Sequence, residues 1–307
     1  MKLSTSPKIL ITGANGYIGS NLAYNMLKEG FDVRTSDLSD NSLVKGVEYV
    51  QCDFTDAHQI ANVIKDIDYI YFFTGKTGNS EEAFDNPDSF IVGNELTLVN
   101  LLNVLKSEKI KPRIIFPSTR LMYKGGEAIP LDENAETEAK CIYAVNKIAC
   151  ESYLHLYQIN YGIDYTIFRI SLPYGSNVEM GHVSYGVMAY LINRARNGNE
   201  LLIYGNGAQK GSLIHINDLS KLLIQGGMHS ETKNQIFNIG GPDHLEIGET
   251  VKSISKHFDV QFKHTEWPGV FQSTDQGHLI INSKKLIGLL NYKYKYQFQE
   301  WLNQLKA

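Results

Sequence analysis

The chain is poor in cysteine, in charge of one sign and in long apolar runs, and each shortage excludes a class of protein. Among its 307 residues only Cys52, Cys141 and Cys150 are cysteines, and their spacing fits neither a disulfide framework nor a C-x-x-C metal site. The formal net charge of −4 is made of both signs spread along the chain, which argues against a nucleic-acid partner. No run approaches the roughly 20 apolar residues that span a bilayer, and the N-terminus has no signal-peptide pattern. We therefore expect a cytoplasmic protein that binds a small molecule and neither a membrane nor a nucleic acid.

Metal-binding patterns are also missing. The nine histidines are scattered, and no H-E-x-x-H motif or other paired spacing is present. We interpret His182, His215 and the others as surface or structural residues and predict no metal site.

What is present is an alternation of short apolar runs with helical patterns. Predicted strands are 8–11, 32–36, 49–51, 69–73, 113–116 and 165–169, and predicted helices are 17–29, 57–65, 94–106 and 141–160. Strands separated by helices of this length indicate βαβ crossovers, and continuous apolar runs indicate a sheet covered on both faces. The predicted fold class is α/β, with a Rossmann-type doubly wound parallel sheet.

A smaller, discontinuous α/β unit is expected to complete the molecule. Beyond Pro173 the chain turns to loops rich in Gly and Asn, with helices predicted at 187–196 and 247–256 and a strand at 235–239 that returns to the main sheet. The predicted division is 1–172 for the nucleotide-binding domain, joined by 213–240, and 173–212 with 241–307 for the substrate-binding domain. The period-two tail 292–296 is interpreted as a surface strand or turn.

A glycine-rich turn follows the first strand. Gly13, Gly16 and Gly19 have the spacing G-x-x-G-x-x-G, and a helical pattern starts directly after them. Glycine permits unusual backbone torsions and close approach of a pyrophosphate, and the helix N-terminus offers free N–H groups to that anion. The alternative is an ordinary tight turn between strand and helix.

Two aspartates favour the nucleotide reading. Asp37 ends the second strand, where a carboxylate can accept hydrogen bonds from ribose hydroxyls and would repel the 2′-phosphate of NADP. Asp53 ends the third strand and could meet the adenine. Arg34 lies near Asp37, but no basic residue stands directly beside it. NAD is therefore the expected cofactor, while for each aspartate alone a solvated turn carboxylate is the alternative.

A possible reaction centre combines a tyrosine, a lysine and a threonine. Tyr143 and Lys147 are one helical turn apart on the same face, and a lysine cation is expected to lower the pKa of the tyrosine hydroxyl for proton abstraction from an alcohol. Thr119 follows the strand at 113–116, at the edge where parallel sheets bind ligands, so it could hydrogen-bond the reacting oxygen. The Tyr/Lys spacing alone is also common on surface helices.

With these motifs the chain resembles the extended short-chain dehydrogenases of the NAD-dependent epimerase/dehydratase family. The resemblance extends from Gly13 to about Trp301. Further marks are the S-T-x-x-x-Y stretch at 118–123, Arg169 before the Pro-Tyr-Gly at 173–175, and stretches at 204–207, 215–218 and 237–241. The resemblance implies Thr119 as hydroxyl partner, Tyr143 as general base and acid, and Lys147 as the residue that tunes Tyr143 and holds the nicotinamide ribose. The cofactor-binding residues that we predict are Gly13, Asn15, Gly16, Tyr17, Ile18, Gly19, Asp37, Leu38, Asp53, Phe54, Phe73, Thr74, Gly75, Asn94, Tyr143, Lys147 and Ile170.

The chain departs from the family pattern around the substrate. Arg120 and Leu121 stand where dehydratases and decarboxylases of the family usually carry acidic residues, which argues against dehydration. Leu172 replaces an Asn, and Gly211 an Arg, that usually help to hold a nucleotide diphosphate. Lys210 or Arg120 could compensate. The predicted substrate-binding residues are Thr119, Arg120, Leu172 and Lys210.

Three functions stay open. The first is an NAD-dependent nucleotide-sugar epimerase that transiently oxidises a sugar hydroxyl, and the second is a reductase or dehydrogenase of a sugar or other hydroxy compound. The third, a nucleotide-sensing regulatory protein, is disfavoured by Tyr143, Lys147 and Thr119. The apolar stretch 96–105 is either core or, by the resemblance, part of a four-helix interface in a homodimer.

Overall fold

The computed structural model describes residues 6–77, 80–127, 129–175 and 186–306. Its strands are β1 (Lys8–Thr12), β2 (Asp32–Asp37), β3 (Glu48–Gln51), β4 (Tyr69–Phe72), β5 (Arg113–Thr119), β6 (Pro130–Leu131), β7 (Tyr165–Ile170), β8 (Leu172–Tyr174), β9 (Leu201–Tyr204), β10 (Lys210–His215), β11 (Gln235–Ile239), β12 (Asp243–Glu246), β13 (Phe262–Thr265) and β14 (Ile280–Ile281). Seven of them form one parallel sheet in the order β11-β7-β5-β4-β1-β2-β3. The order reverses beside β1, which confirms the doubly wound fold.

Helices cover both faces of this sheet. The α-helices of the described residues are α1 (Tyr17–Lys28), α2 (Ala57–Val63), α3 (Ser80–Asp85), α4 (Pro87–Ile91), α5 (Thr97–Glu108), α6 (Ile142–Tyr161), α7 (Val187–Arg196), α8 (Ile216–Met228), α9 (Ile247–Phe258), α10 (Val270–Ser273), α11 (Lys284–Leu290) and α12 (Phe298–Gln304). Helices α1, α8 and α11 pack on one face, and α2, α5 and α6 on the other. Within the described ranges, no helix is long and apolar enough to cross a membrane.

The helix predicted from Asn94 starts earlier than expected. Asn86 caps α4 through a hydrogen bond from the Ser89 backbone N–H, Pro87 occupies the first turn, and a π-helical turn at Val92–Leu96 joins α4 to α5. The polar residues of α4 hid this start from an apolar-period argument. Four leucines of α5, at positions 98, 101, 102 and 105, are fully buried in the core, as one of the two interpretations required. Each contributes about 1.5–3 kcal/mol through burial.

A second, smaller hydrophobic core lies beside the main sheet. It is built around the three-stranded sheet β12-β10-β8 and helices α7, α9 and α12. Strand β11 pairs with β7 in parallel at the edge of the main sheet. Strand β10 belongs to the small sheet, so residues 213–215, which we had grouped with the first domain, pair outside the main sheet. We keep the division into two units, otherwise unchanged, as a proposal.

The tail at 292–296 forms no strand. Its tyrosines are half-buried while its lysines are exposed, because an extended segment points alternate side chains to opposite sides. Tyr292 donates to the buried Asp218 carboxylate at 2.7 Å, and Tyr296 stacks on His215 with ring centroids 3.9 Å apart. The expectation of a surface strand or turn was therefore wrong, and the segment joins α8 to the smaller core.

Candidate active site

The glycine turn brings β1, β4 and α1 into close contact. Gly13 has φ +60°, and a Cβ there would lie 2.5 Å from the Phe73 carbonyl oxygen. A Cβ on Gly19 would lie 2.5 Å from the Gly13 carbonyl oxygen, and one on Gly16 3.1 Å from it. No side chain caps α1, and its first turn holds no acidic residue, so its N–H groups remain available to an anion. The turn therefore fits a pyrophosphate at the N-terminus of α1.

Not every predicted residue of this region points toward that turn. The Tyr17 hydroxyl donates to the Gly175 carbonyl at 2.5 Å, and burial raises the pKa of Tyr17. The Phe54 ring packs edge-on against Phe72 in the core. The Ile18 side chain packs partly against the core. The side chains of Tyr17 and Phe54 are thus engaged in other contacts, and the cofactor-binding role of all three residues stays a prediction.

Asp37 organises the loop that follows β2. Its carboxylate accepts from the Asn15 backbone N–H at 3.0 Å and from the Leu38 N–H at 2.8 Å. The Asn15 side chain in turn bonds the backbone of Asn41 and of Leu43, both at 2.9 Å. Leu38 is 64% exposed. The turn and the loop thus form one hydrogen-bonded unit beside the end of β2.

Arg34 is not available to a 2′-phosphate. Its guanidinium bonds Glu48 at 2.8 Å and the carbonyl oxygens of Val63 and Lys65 at 2.8 and 2.9 Å. Asp53 likewise has a local role, because it accepts from the Thr55 N–H and hydroxyl, both at 2.8 Å. For Asp53 the turn-carboxylate alternative describes the contacts that the structure shows.

Asn94 holds the segment after β4. Its side chain exchanges two hydrogen bonds of 3.0 Å with the backbone of Lys76, and a Cβ on Gly75 would lie 2.7 Å from its Oδ1. Thr74 is tied to β1, since its N–H donates to the Thr12 hydroxyl at 3.2 Å. Phe73 and Thr74 are half-buried at the carboxyl edge, close to Gly13.

Tyr143 and Lys147 pack their helix face on β5. The Lys147 Nζ lies 5.6 Å from the Tyr143 ring centroid and 4.4 Å from that of Phe116, three residues before Thr119 on the same strand. The Thr119 hydroxyl accepts from the Leu121 N–H at 3.2 Å, which leaves its own hydrogen free to donate. Ile170 ends β7 beside Thr119. The three predicted catalytic residues thus lie at one edge of the sheet.

The electrostatics of the pair differ from the expectation. Burial lowers the pKa of Lys147 to about 8, opposed by Cys150 and Glu151. Burial also raises the pKa of Tyr143. The predicted lowering of the tyrosine pKa was therefore wrong for the protein by itself, because desolvation of the buried hydroxyl raises it.

Two buried networks that sequence reasoning missed hold α6 in place. Asn146 donates to Glu95 at 2.6 Å, and Glu95 also accepts from Tyr153 at 3.1 Å. Glu151, one turn after Lys147, forms a two-point ion pair with Arg169 at 3.1 and 2.7 Å. Their partners lie on other elements and far along the chain, so no local pattern could reveal them.

The predicted substrate-binding residues differ in their surroundings. The Arg120 side chain forms no hydrogen bond or ion pair with the described part of the chain, and burial lowers its pKa to about 10, opposed by Asp275. Lys210 lies 3.8 Å from Glu246 across the β10–β12 pair. Leu172 is buried in the smaller core, with its Cδ1 2.5 Å from where a Gly211 Cβ would stand.

Among the described residues, no group of three His, Cys, Asp or Glu side chains could hold a metal. His215 is buried in an aromatic stack, and burial lowers its pKa to about 4. His182 lies outside the described residues.

Comparison with known proteins places the chain in a family. The model of the NAD dependent epimerase/dehydratase family matches residues 9–240. The chain therefore belongs to this family of NAD-dependent enzymes, as the sequence motifs indicated.

Individual relatives are distant. The chain is 27% identical to UDP-glucuronate 4-epimerase 1 of Arabidopsis thaliana, over 85% of this chain and 67% of that protein. It is 25% identical to the UDP-N-acetyl-alpha-D-glucosaminuronate decarboxylase of Bacillus cytotoxicus, over 86% and 85%. The UDP-glucose 4-epimerase of Thermus thermophilus in complex with NAD has the same fold, with a TM-score of 0.82, 96% coverage of both chains and 19% identity.

Proposed function

We propose that this protein is a nucleotide-sugar epimerase that transiently oxidises a sugar hydroxyl with bound NAD. The observation that carries the proposal is Lys147, buried against Tyr143 and Phe116 at the end of β5, where it forms no ion pair with any described residue. Relatives named as nucleotide-sugar epimerases support the reaction class. The glycine turn, the uncapped α1 and Asp37 would hold the dinucleotide.

The residues divide the work as follows. Bound NAD supplies a hydride acceptor and a positive nicotinamide ring. The Thr119 hydroxyl donates to the reacting oxygen and orients it, while Tyr143 removes and later returns its proton. Lys147 would hold the nicotinamide ribose and would stabilise the tyrosine anion against the burial that raises the pKa of Tyr143, and its own pKa of about 8 lets its charge vary near neutral pH. Turning of the sugar between the two proton transfers at Tyr143 would then give the epimer.

Related reactions fit less well. Family members that dehydrate or decarboxylate their substrates usually carry acidic residues directly after the position of Thr119. This chain has Arg120 and Leu121 at those positions, so both reactions are disfavoured. A reductase would use the same three residues and exchange its cofactor at every turnover. The reductase stays the second candidate because the geometry of Thr119, Tyr143 and Lys147 serves both reactions.

We also propose a cytoplasmic homodimer. Helix α6 and the turn before α5 leave apolar side chains exposed, among them Leu96 at 42%, Val145 at 52%, Leu156 at 52% and Ile159 at 61%. Such a patch is typical of an interaction surface. The three cysteines are free, as in proteins of a reducing compartment.

Turnover of a panel of nucleotide-sugars tests the function. The enzyme should interconvert two epimers of one of them without added NAD and without net NADH. Inhibition by UDP, dTDP, GDP or CDP should identify the nucleotide. Failure of all four nucleotides to inhibit at millimolar concentrations would refute the nucleotide-sugar assignment.

A further inference from the structure

The two positions that lost a diphosphate ligand are filled by one apolar contact. Leu172 on β8 points at Gly211 on β10, and any side chain at 211 would collide with its Cδ1. Leu172 belongs to a core cluster that includes Leu213 and Val251. Neither side chain therefore offers a polar group to an anion.

Lys210 is a poor replacement. Its ammonium group already has Glu246 as a partner, and its backbone N–H donates to the His278 ring at 3.1 Å. A cation with a neighbouring carboxylate has little attraction left for a second anion.

Arg120, by contrast, forms no ion pair with any described residue, although the charge of Asp275 acts on it from beyond ion-pair distance. Its turn is pinned on two sides: the Leu121 N–H bonds Thr119, and the Leu121 carbonyl accepts from Gln276 at 3.1 Å. Gln276 also bonds the Glu138 carbonyl at 3.1 Å, and its buried Oε1 has no hydrogen-bond partner. These hydrogen bonds fix the backbone of the turn that carries the Arg120 side chain.

A second cation, Lys140, lies beside Asp275. The Lys140 Nζ donates to the Asp275 carbonyl at 3.2 Å and forms no ion pair with a described residue, and Lys140 lies three residues before Tyr143. The Asp275 carboxylate is 3.5 Å from the Gln209 amide. Asp275 thus contacts Lys140 through its carbonyl group, and it is the acidic residue among the described ones whose charge acts on Arg120.

We infer that Arg120 selects the substrate by binding an oxyanion on the sugar ring, a carboxylate or a phosphate ester, near the carbinol that Thr119 and Tyr143 hold. This inference rests on the proposed function. Arg120 directly follows Thr119, so their Cα atoms are about 3.8 Å apart, and an arginine side chain is long enough to span from there to the neighbours of the reacting carbon. Its planar fork matches such an oxyanion with two parallel hydrogen bonds.

Equilibrium binding tests this selection without turnover. NAD-loaded Tyr143→Phe protein would be titrated with two matched pairs, UDP-glucuronate against UDP-glucose and glucose 6-phosphate against glucose, and with UDP alone. We expect the anionic member of at least one pair to bind roughly 10- to 100-fold more tightly, the range of a charge-assisted hydrogen bond. The pair that shows the preference identifies carboxylate or phosphate.

Arg120→Gln in the same background should abolish that preference and leave UDP binding unchanged. Arg120→Lys should retain part of it, and it keeps the test valid if the glutamine variant does not fold. Arg196→Gln, a change on the exposed end of α7, is the matched control and should alter nothing. Equal binding within both pairs, or equal loss for UDP and both UDP-sugars in Arg120→Gln, would overturn the inference.

Turnover separates this inference from the proposed function. Epimerisation of an anionic nucleotide-sugar that Arg120→Gln leaves unchanged would overturn the role of Arg120 and keep the function. Anion-selective binding that depends on Arg120, with no epimerisation of any probe by the unaltered enzyme, would support Arg120 and refute the function.

Discussion

Tyr143 is the residue on which the proposed chemistry depends most. Tyr143→Phe keeps the ring over Lys147 and deletes the proton carrier, so turnover should fall by ~10²–10⁴-fold. NAD binding, measured by fluorescence titration, should stay within a factor of about two, because the hydroxyl contributes little to it. Turnover like that of the unaltered enzyme would remove Tyr143 from the mechanism.

Lys147 should have a measurable stability cost in the protein stripped of NAD. Its pKa of about 8 in the folded state lies below the 10.5 of an exposed lysine. Between pH 8 and 10.5 the unfolded chain therefore binds more protons than the folded protein. The free energy of unfolding should rise with pH over this range. Below pH 8 the buried charge of Lys147 should cost up to about 3 kcal/mol of that free energy.

Lys147→Met removes this cost. The variant should be more stable than the unaltered protein at pH 7, and the difference should shrink toward pH 10.5 in urea unfolding. The same variant should lose turnover and bind NAD more weakly. A stability difference that does not vary with pH would contradict the buried cation.

Asp37 should set the choice of cofactor. Its carboxylate lies where ribose hydroxyls are expected, and Arg34 is held by Glu48 and two carbonyl groups. NAD should therefore bind more tightly than NADP, and Asp37→Asn should reduce the difference in affinity between the two dinucleotides. Calorimetric titration of both dinucleotides measures this, and equal affinities in the unaltered protein would exclude the role.

Among the elements, the strands of the main sheet were the most predictable. Most of them are apolar along their length because they are buried on both faces, and β1, β2, β4, β5, β7 and β11 start at the expected residue and end within three residues of the expected end. The two-residue strands β6 and β14 carry no such signal, because their pairing joins segments about 150 residues apart along the chain. The Gln276 contacts and the Lys210–Glu246 pair were hidden for the same reason.

The turn between β1 and α1 offers a matched pair of glycine substitutions. Gly13→Ala meets both a positive φ and the Phe73 carbonyl, so it should cost about 3 kcal/mol or more. Gly30→Ala has φ +81° but open space around its Cβ, so about 1–2 kcal/mol is expected. Urea unfolding of both variants measures the difference, and equal losses would show that the contact with Phe73 is unimportant.

At the scale of the whole molecule, the exposed apolar face of α6 is the feature that the single chain leaves unexplained. If it forms the proposed homodimer, Leu156→Glu should yield monomers in sedimentation velocity, because the charge would be buried unpaired. Phe262→Glu changes an exposed aromatic residue on β13 and should leave the assembly intact. A monomeric unaltered protein would refute the interface.

The overall architecture and the cluster of Thr119, Tyr143 and Lys147 could be anticipated, because each depends on local motifs placed at the same sheet edge. The surroundings of that cluster could not. The isolation of Arg120 and the Leu172–Gly211 contact depend on how β8, β10 and the segment after α10 meet in space. The contacts that would determine the choice of substrate therefore could not be predicted from the sequence alone.

The proposed epimerase function requires that the cofactor stay on the enzyme during turnover. The direct measurement is the absorbance spectrum of gently purified protein, followed at 340 nm on addition of substrate. We predict close to one NAD or NADH per chain, interconversion of the epimers and no NADH released into solution. Protein that carries no dinucleotide, or that releases one NADH for each product formed, would contradict the epimerase and favour the dehydrogenase.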